Sequence, residues 1–251
     1  MNTHNLLPGL LKKLKLHAIL AQHEEIALQA ERSQWPYQRY LQALCDIEAS
    51  IRSQNRIQRH IKEAKLPIGK TLDMFEFDKA SSVNPAQIVA FAENTQWVHQ
   101  ARNLLIFGPS GVGKTHIAAA IGRRLIEHGV RVFFAKTTML VQKLQVAYQE
   151  HRLNEAIAKL AKFNLIILDD IGYVQKTENE TSVLFELIAD RYESGSLIIT
   201  ANQPFDTWET IFPTNSMAVA AIDRLIHKAS ILNINEQSYR RLSSVKTNIN
   251  I

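Results

Sequence analysis

Gly108-Pro109-Ser110-Gly111-Val112-Gly113-Lys114-Thr115 fits G-x-x-x-x-G-K-[ST], the phosphate-binding loop. Arg102-Asn103-Leu104-Leu105-Ile106-Phe107 precedes it and reads as a buried strand. Ile117, Ala120, Ile121 and Leu125 follow it at helical spacing. Strand, loop and helix in that order form the context this motif requires. Gly108, Gly111 and Gly113 let the backbone approach phosphate with no Cβ in the way. The amides from Gly111 to Thr115 then converge at a helix amino terminus, which attracts anions. Lys114 is placed to reach the β- and γ-phosphates, and the Thr115 hydroxyl to ligate Mg²⁺. The whole loop, with Pro109, Ser110 and Val112 as its variable positions, predicts a nucleoside triphosphate site.

The rest of the chain alternates in the same manner. Val130 to Phe134, Leu165 to Leu168, Leu197 to Asn202 and Ser230 to Ile234 read as further strands. Helical patterns lie between them, at 138–149, 153–162, 183–192 and 222–228. Apolar runs rather than strict alternation predict a parallel sheet covered on both faces, an α/β fold with five strands. Ahead of that core the pattern is helical throughout, over 6–31, over a second helix from about Pro36 to Lys65, and over 84–99. Leu66-Pro67-Ile68-Gly69 breaks it, so the expected domains are 1–66, small and all-α, and 67–251.

Charge is uneven. The net charge is +5, yet residues 1–65 hold ten Lys or Arg against six Asp or Glu. A basic end on a nearly neutral body points to a polyanion. Arg52, Arg56 and Arg59 recur on one stripe with Lys62 nearby, which suits contacts to a phosphate backbone and equally suits a solvated helix face. The single cysteine, Cys45, rules out an internal disulfide and is expected to pack on its apolar helix face. No apolar run approaches 18 residues, and Lys12, Lys13 and Lys15 interrupt the leading leucines, so a cytoplasmic protein with no membrane partner is expected.

Leu165-Ile166-Ile167-Leu168-Asp169-Asp170 ends a buried strand in two carboxylates, roughly 50 residues after the loop. A carboxylate there is expensive unless it serves a cation. Asp169 is therefore expected to complete the Mg²⁺ shell with Thr115, and Asp170 to orient or deprotonate an attacking water. Asn202 ends the next strand and can hold that water if its strand lies between the other two. It also suits a plain turn before Pro204. Arg224 fits either an arginine finger acting on a neighbouring subunit or a helix salt bridge with Asp223. Phe75 and Phe77 fit core packing better than closure over a base.

The order of these parts resembles the AAA+ ATPases of the helicase-loader and IstB group. The residues that carry the likeness are the phosphate loop, Leu168 to Tyr173, Leu197 to Phe205 and Asp223-Arg224-Leu225. Leu11-Lys12-Lys13-Leu14-Lys15-Leu16 and the run from Tyr40 to Phe77 are similar to IstB-type transposition helpers rather than to DnaC-like loaders, which remain the alternative. The resemblance implies an ATPase that uses ATP and Mg²⁺ and assembles as a homo-oligomer on double-stranded DNA. It implies deformation of that DNA and stimulation of a cognate transposase. By position, Lys114, Thr115, Asp169, Asp170 and Asn202 carry over as ATPase residues, Arg224 as a finger in trans, and Lys143 as lying where this clade meets DNA. Two departures stand out. The second acid is Asp170 where most of the superfamily has Glu, which implies slow hydrolysis. Only 27 residues follow Arg224, which implies a truncated or absent helical lid, with Arg240 as a stand-in for the missing lid arginine.

Overall fold

The protein is described by a computed structural model at residues 6–80, 82–171, 178–203 and 215–235. Gly172, Tyr173, Pro204, Phe205, Arg240 and the lid expectation lie outside those residues. The chain forms two compact units, Met1–Arg59 and His60–Ile251, which divide within one long helix.

In the first unit, α1 (Leu7–Lys13), α2 (His17–Arg32) and the greater part of α3 (Tyr37–Ala64) enclose a small core of Leu11, Ile19, Ile26 and Leu44, with Leu16, Leu20, Trp35, Tyr40 and Ile47 against it. The single helix expected over 6–31 is two. Lys15 turns left-handed at φ 57°, and the Leu16 amide reaches back to the Leu11 carbonyl, which closes α1. On α3, Tyr37 and Leu41 are 93% and 61% exposed. Cys45 is exposed too, because Leu44 takes the buried position beside it.

The new helix start at α2 has no cap on its own element, and α3 supplies one. Glu48 Oε2 accepts from the Ala18 and Ile19 amides at 2.9 and 3.1 Å. These are orphan donors of the first turn, where negative charge is favoured. Arg52 holds the arrangement together, bonding Glu48 Oε1 at 2.7 Å and the Lys15 carbonyl at 2.7 Å. Burial pushes the Glu48 carboxyl up. Arg52 and the two amides outweigh it and hold the group below its ordinary value of 4.5. Stability from this carboxylate is thus complete above that value and lost as pH falls through the lower folded one. Glu48→Gln is expected to cost about 1 kcal/mol near neutral pH. The difference from wild type in urea melts should shrink as pH is lowered towards about 3; a constant difference would mean that the charge contributes nothing.

The second unit is built on a sheet of five parallel strands in the order β2-β3-β4-β1-β5. In chain order, α4 (Pro85–Glu93) and α5 (Gln96–His99) lead into β1 (Asn103–Phe107) and α6 (Lys114–Glu127). β2 (Val132–Lys136), α7 (Thr137–Gln149) and α8 (Leu153–Leu160) follow. The unit continues through β3 (Leu165–Asp169), α9 (Glu178–Arg191), β4 (Ser196–Ala201), α10 (Asn215–Ile226) and β5 (Ala229–Asn233). The helix expected over 84–99 is broken at Asn94, whose side chain caps the second piece by accepting from the Gln96 amide at 2.8 Å. α10 starts earlier than the 222 expected and is longer.

The two-residue period of each strand divides the apolar runs between two layers. Leu105, Phe107, Ile166, Leu168, Leu197 and Ile199 pack with Leu140 and Leu144 of α7, Leu184 and Leu187 of α9, and Leu225 of α10. On the other layer α6 comes so close to the sheet that a Cβ on Gly122 would stand 2.6 Å from Ile167 Cδ1. At the amino edge Arg191 is buried and donates to the carbonyls of Phe163, Asn164 and Ser196; burial pushes its pKa down to about 10. No helix among the described residues is long and apolar enough to cross a membrane.

Candidate functional site: a phosphate loop facing two strand ends

The loop leaves β1 at the carboxyl edge of the sheet, where open α/β sheets bind ligands. Its glycines have stereochemical reasons to be there. Gly108 sits at φ 152°, and a Cβ on it would lie 2.3 Å from the Ile234 carbonyl oxygen. Gly113 sits at φ 99°, immediately before α6, and a Cβ there would lie 2.7 Å from Phe75. Phe75 therefore lies against the loop itself, edge-on to Phe77 at 4.8 Å and to His116 at 5.3 Å. Burial holds the His116 imidazole below its ordinary pKa, against a bond to the Thr71 carbonyl that raises it.

Lys114 is 7% exposed, a burial that an ammonium tolerates only when it is bonded. Its Nζ donates to the Gly108 carbonyl at 2.7 Å, the Pro109 carbonyl at 2.8 Å and Asn202 Oδ1 at 2.6 Å. These acceptors are neutral dipoles, for which an anionic phosphate competes with stronger, charge-assisted bonds.

β4 lies between β1 and β3, so Asn202 stands between the loop and the two acids. Asn202 Nδ2 donates to Asp170 Oδ1 at 3.0 Å. The amide orientation is dictated by its neighbours, since an ammonium can only donate and a carboxylate can only accept. Lys114, Asn202 and Asp170 thus form one chain of hydrogen bonds across the carboxyl edge.

Asp169, 5% exposed, is held by hydroxyls. Its Oδ1 accepts from Thr115 Oγ1 and from Thr200 Oγ1, both at 2.8 Å, and its carbonyl accepts from Thr137 Oγ1 at 2.9 Å. Thr200 Oγ1 also accepts from the Asp170 amide at 2.8 Å. Sequence reasoning passed over both threonines. Thr200 carried a signal, as a polar residue at the end of the apolar run Leu197-Ile198-Ile199; Thr137, at the first turn of α7, carried none. Thr115 and Asp169 suit Mg²⁺ in chemistry and position, since that ion takes one or two protein oxygens beside phosphate oxygens and waters. Asp170 has φ 64°, an uncommon conformation for any residue but glycine and one that Asp and Asn adopt more readily than Glu. The sequence departure at this position therefore has a backbone counterpart.

Arg224 is not at this site. It lies near the end of α10, where Asn103 Nδ2 donates to the Leu225 carbonyl at 3.0 Å and the Asn103 amide to the Lys228 carbonyl at 3.0 Å. That is the amino end of β1, separated from the phosphate loop by about 13 Å of strand. Its Nη1 donates to the Ala220 carbonyl at 3.0 Å, and its guanidinium carbon lies 5.2 Å from the Phe185 ring centroid. Arg224 makes no salt bridge among the described residues, with Asp223 or any other acid. Of the basic positions singled out, Arg52 is engaged with Glu48 and Lys15, while Arg56, Arg59, Lys62 and Lys143 are exposed.

The model of the family described as IstB-like ATP binding protein matches residues 9–247. The chain belongs to the IstB-like ATP-binding family. It is 50% identical over 250 residues to an insertion-sequence ATP-binding protein of Sinorhizobium fredii, covering 98% of this chain and 84% of that protein. It is 34% identical over 231 residues to the insertion sequence IS21 ATP-binding protein of Pseudomonas aeruginosa, covering 92% and 87%. Among solved structures it is similar to the DnaC helicase loader, with a TM-score of 0.59 at 22% identity over 66% of this chain and 97% of that one. That likeness concerns the fold, a core with a central parallel sheet of five strands, preceded here by the N-terminal helices.

Proposed function

We propose that this IstB-like protein is an ATP-dependent regulator of transposition that assembles on duplex target DNA, deforms it and stimulates a cognate transposase. The observation that carries the reading is the separation of Arg224 from its own phosphate loop, in a chain whose relatives are named for insertion sequences. A site with the residues for triphosphate and Mg²⁺ at one edge of the sheet, and an arginine at the other, is completed when copies stack head to tail. Bound ATP then bridges copies. Lys114 and the loop amides hold the β- and γ-phosphates. Thr115 and Asp169 would hold Mg²⁺, which when bound would supply charge neutralisation at the phosphates. Asp170, steadied by Asn202, takes the proton of the attacking water, and the Arg224 of the adjoining copy meets the γ-phosphate.

The test is assembly on DNA followed by electron microscopy, with and without a non-hydrolysable ATP analogue. Oligomers that form on duplex DNA only with nucleotide, and not with Lys114→Ala, are expected. Assembly indifferent to both changes would overturn the reading, and a preference for single strands would favour a helicase-loader role instead.

Contact with DNA is assigned to the exposed cations Arg56, Arg59 and Lys62 of α3 and Lys143 of α7. Arg52 is left out of the test because its loss would also uncap α2. Replacing Arg56 and Arg59 with alanine is expected to weaken binding to every sequence alike and to reduce the slope of log affinity against log salt by about two. An unchanged slope would return both residues to a solvated face.

A further inference from the structure

We propose that Phe185 is a positioning residue for Arg224, holding the guanidinium at the amino edge of the sheet in readiness for a neighbouring copy's triphosphate. The proposal rests on the trans role of Arg224 given above. Arg224 lies with its guanidinium carbon 5.2 Å from the Phe185 ring centroid, near the end of α10. An arginine side chain there has several rotatable bonds and water on one side. Left to itself it would sample many rotamers, and fixing them at the moment of reaction would be an entropic cost.

Two contacts reduce that freedom. Nη1 is tied to the Ala220 carbonyl one turn back, and the cation rests over an aromatic ring. The ring is itself restrained, since Phe185 is half-buried and packs against the core of α7, α9, α10 and the sheet. An aromatic contact suits this task better than a carboxylate. A salt bridge would neutralise the charge and occupy the N–H edges that must reach phosphate oxygens. A ring restrains the cation while leaving its charge intact. Phe185 also stands on α9, the helix that follows Asp169 and Asp170 in the chain, so the element after the acids of one site carries the support for the arginine of the next.

The assay uses mixed assemblies on duplex DNA. Asp170→Asn copies bind ATP and assemble but hydrolyse it slowly, and can donate Arg224; Arg224→Ala copies hold ATP but donate nothing. Mixing them restores hydrolysis wherever a donor faces a holder. Phe185→Leu is then placed on one partner at a time. On the donor, with Asp170→Asn, it is expected to lower the restored kcat by about tenfold with the KM for ATP unchanged. On the holder, with Arg224→Ala, it is expected to change neither. Phe185→Tyr on the donor, which keeps the ring, is expected to restore the rate. Equal losses from both placements, or no loss from the donor, would overturn the assignment of Phe185. Phe185→Met, run in the same two placements, guards against a folding defect peculiar to leucine. Failure of the parent mixture to hydrolyse ATP would instead overturn the trans reading of Arg224, and this proposal with it.

Discussion

Arg224→Ala is expected to leave ATP affinity unchanged and to lower turnover of the DNA-bound assembly by 10³-fold or more, the scale on which arginine fingers act. Both halves follow from position. Arg224 is one strand length from its own loop and touches Ala220 and Phe185 rather than Lys114, Thr115 or Asp169. The groups that hold ATP in one copy are therefore untouched by its removal. The transition state of the neighbouring copy loses a cation where charge spreads over the γ-phosphoryl oxygens. Fluorescent-nucleotide titration and phosphate release at saturating DNA separate the two effects. A rise in the dissociation constant with normal kcat would place Arg224 in ground-state binding. Normal values of both would return it to the ordinary surface of α10.

The same positional logic explains what sequence alone conveyed. The central strands β1, β3 and β4 were legible because each carries an apolar run buried along its whole length. The edge strands β2 and β5 are only partly buried and were read from shorter apolar stretches. The loop and Asp169 were legible because their chemistry is costly anywhere else, whereas Asn202, which equally suited a turn, depended on its strand lying between the other two. Lys114 and Asp169 are buried charges that make sense only when bonded. The helix breaks were hidden. The apolar pattern of 6–31 runs on through Lys15, and only the left-handed turn reveals the break, with Arg52 on the Lys15 carbonyl and Glu48 of α3 capping the next helix. Arg52 shows the converse limit. Its stripe with Arg56 and Arg59 is real in sequence, and so is its spacing from Glu48, four residues back, which is the signal of an ion pair. Periodicity reports which residues share a face and is silent on which of them the fold has already engaged. Thr200 showed only as a polar residue closing an apolar run; its role was hidden for a related reason. Its value lies in touching Asp169 and the Asp170 amide at once, a convergence of neighbouring strands that no single segment records.

Asp170→Asn is expected to bind ATP, to assemble on DNA and to hydrolyse at least about 10²-fold more slowly than wild type. The substitution is gentle to the fold. Position 170 has φ 64°, and asparagine tolerates that backbone as aspartate does. The amide of residue 170 would still donate to Thr200 Oγ1, which would still support Asp169. Lys114, Thr115 and Asp169 keep their own contacts, so triphosphate and Mg²⁺ lose nothing directly. The change falls on the proton. A carboxylate that accepts from Asn202 Nδ2 at 3.0 Å retains lone pairs for a water, whereas a carboxamide is a far weaker base. With ATP bound and unspent, copies stay bridged, and the DNA-bound assembly should outlive that of wild type when free ATP is removed. Single-turnover hydrolysis and complex lifetime after dilution measure the two consequences separately. Slow hydrolysis with a wild-type lifetime would mean that cleavage does not release the assembly. Wild-type hydrolysis would mean that the water loses its proton elsewhere, leaving Asp170 a structural acceptor for Asn202. Asp170→Glu completes the argument. Its longer side chain reaches further, but at positive φ it carries backbone strain of about 1 kcal/mol or more, and a rate that rose despite the strain would show that reach, rather than basicity, limits this site.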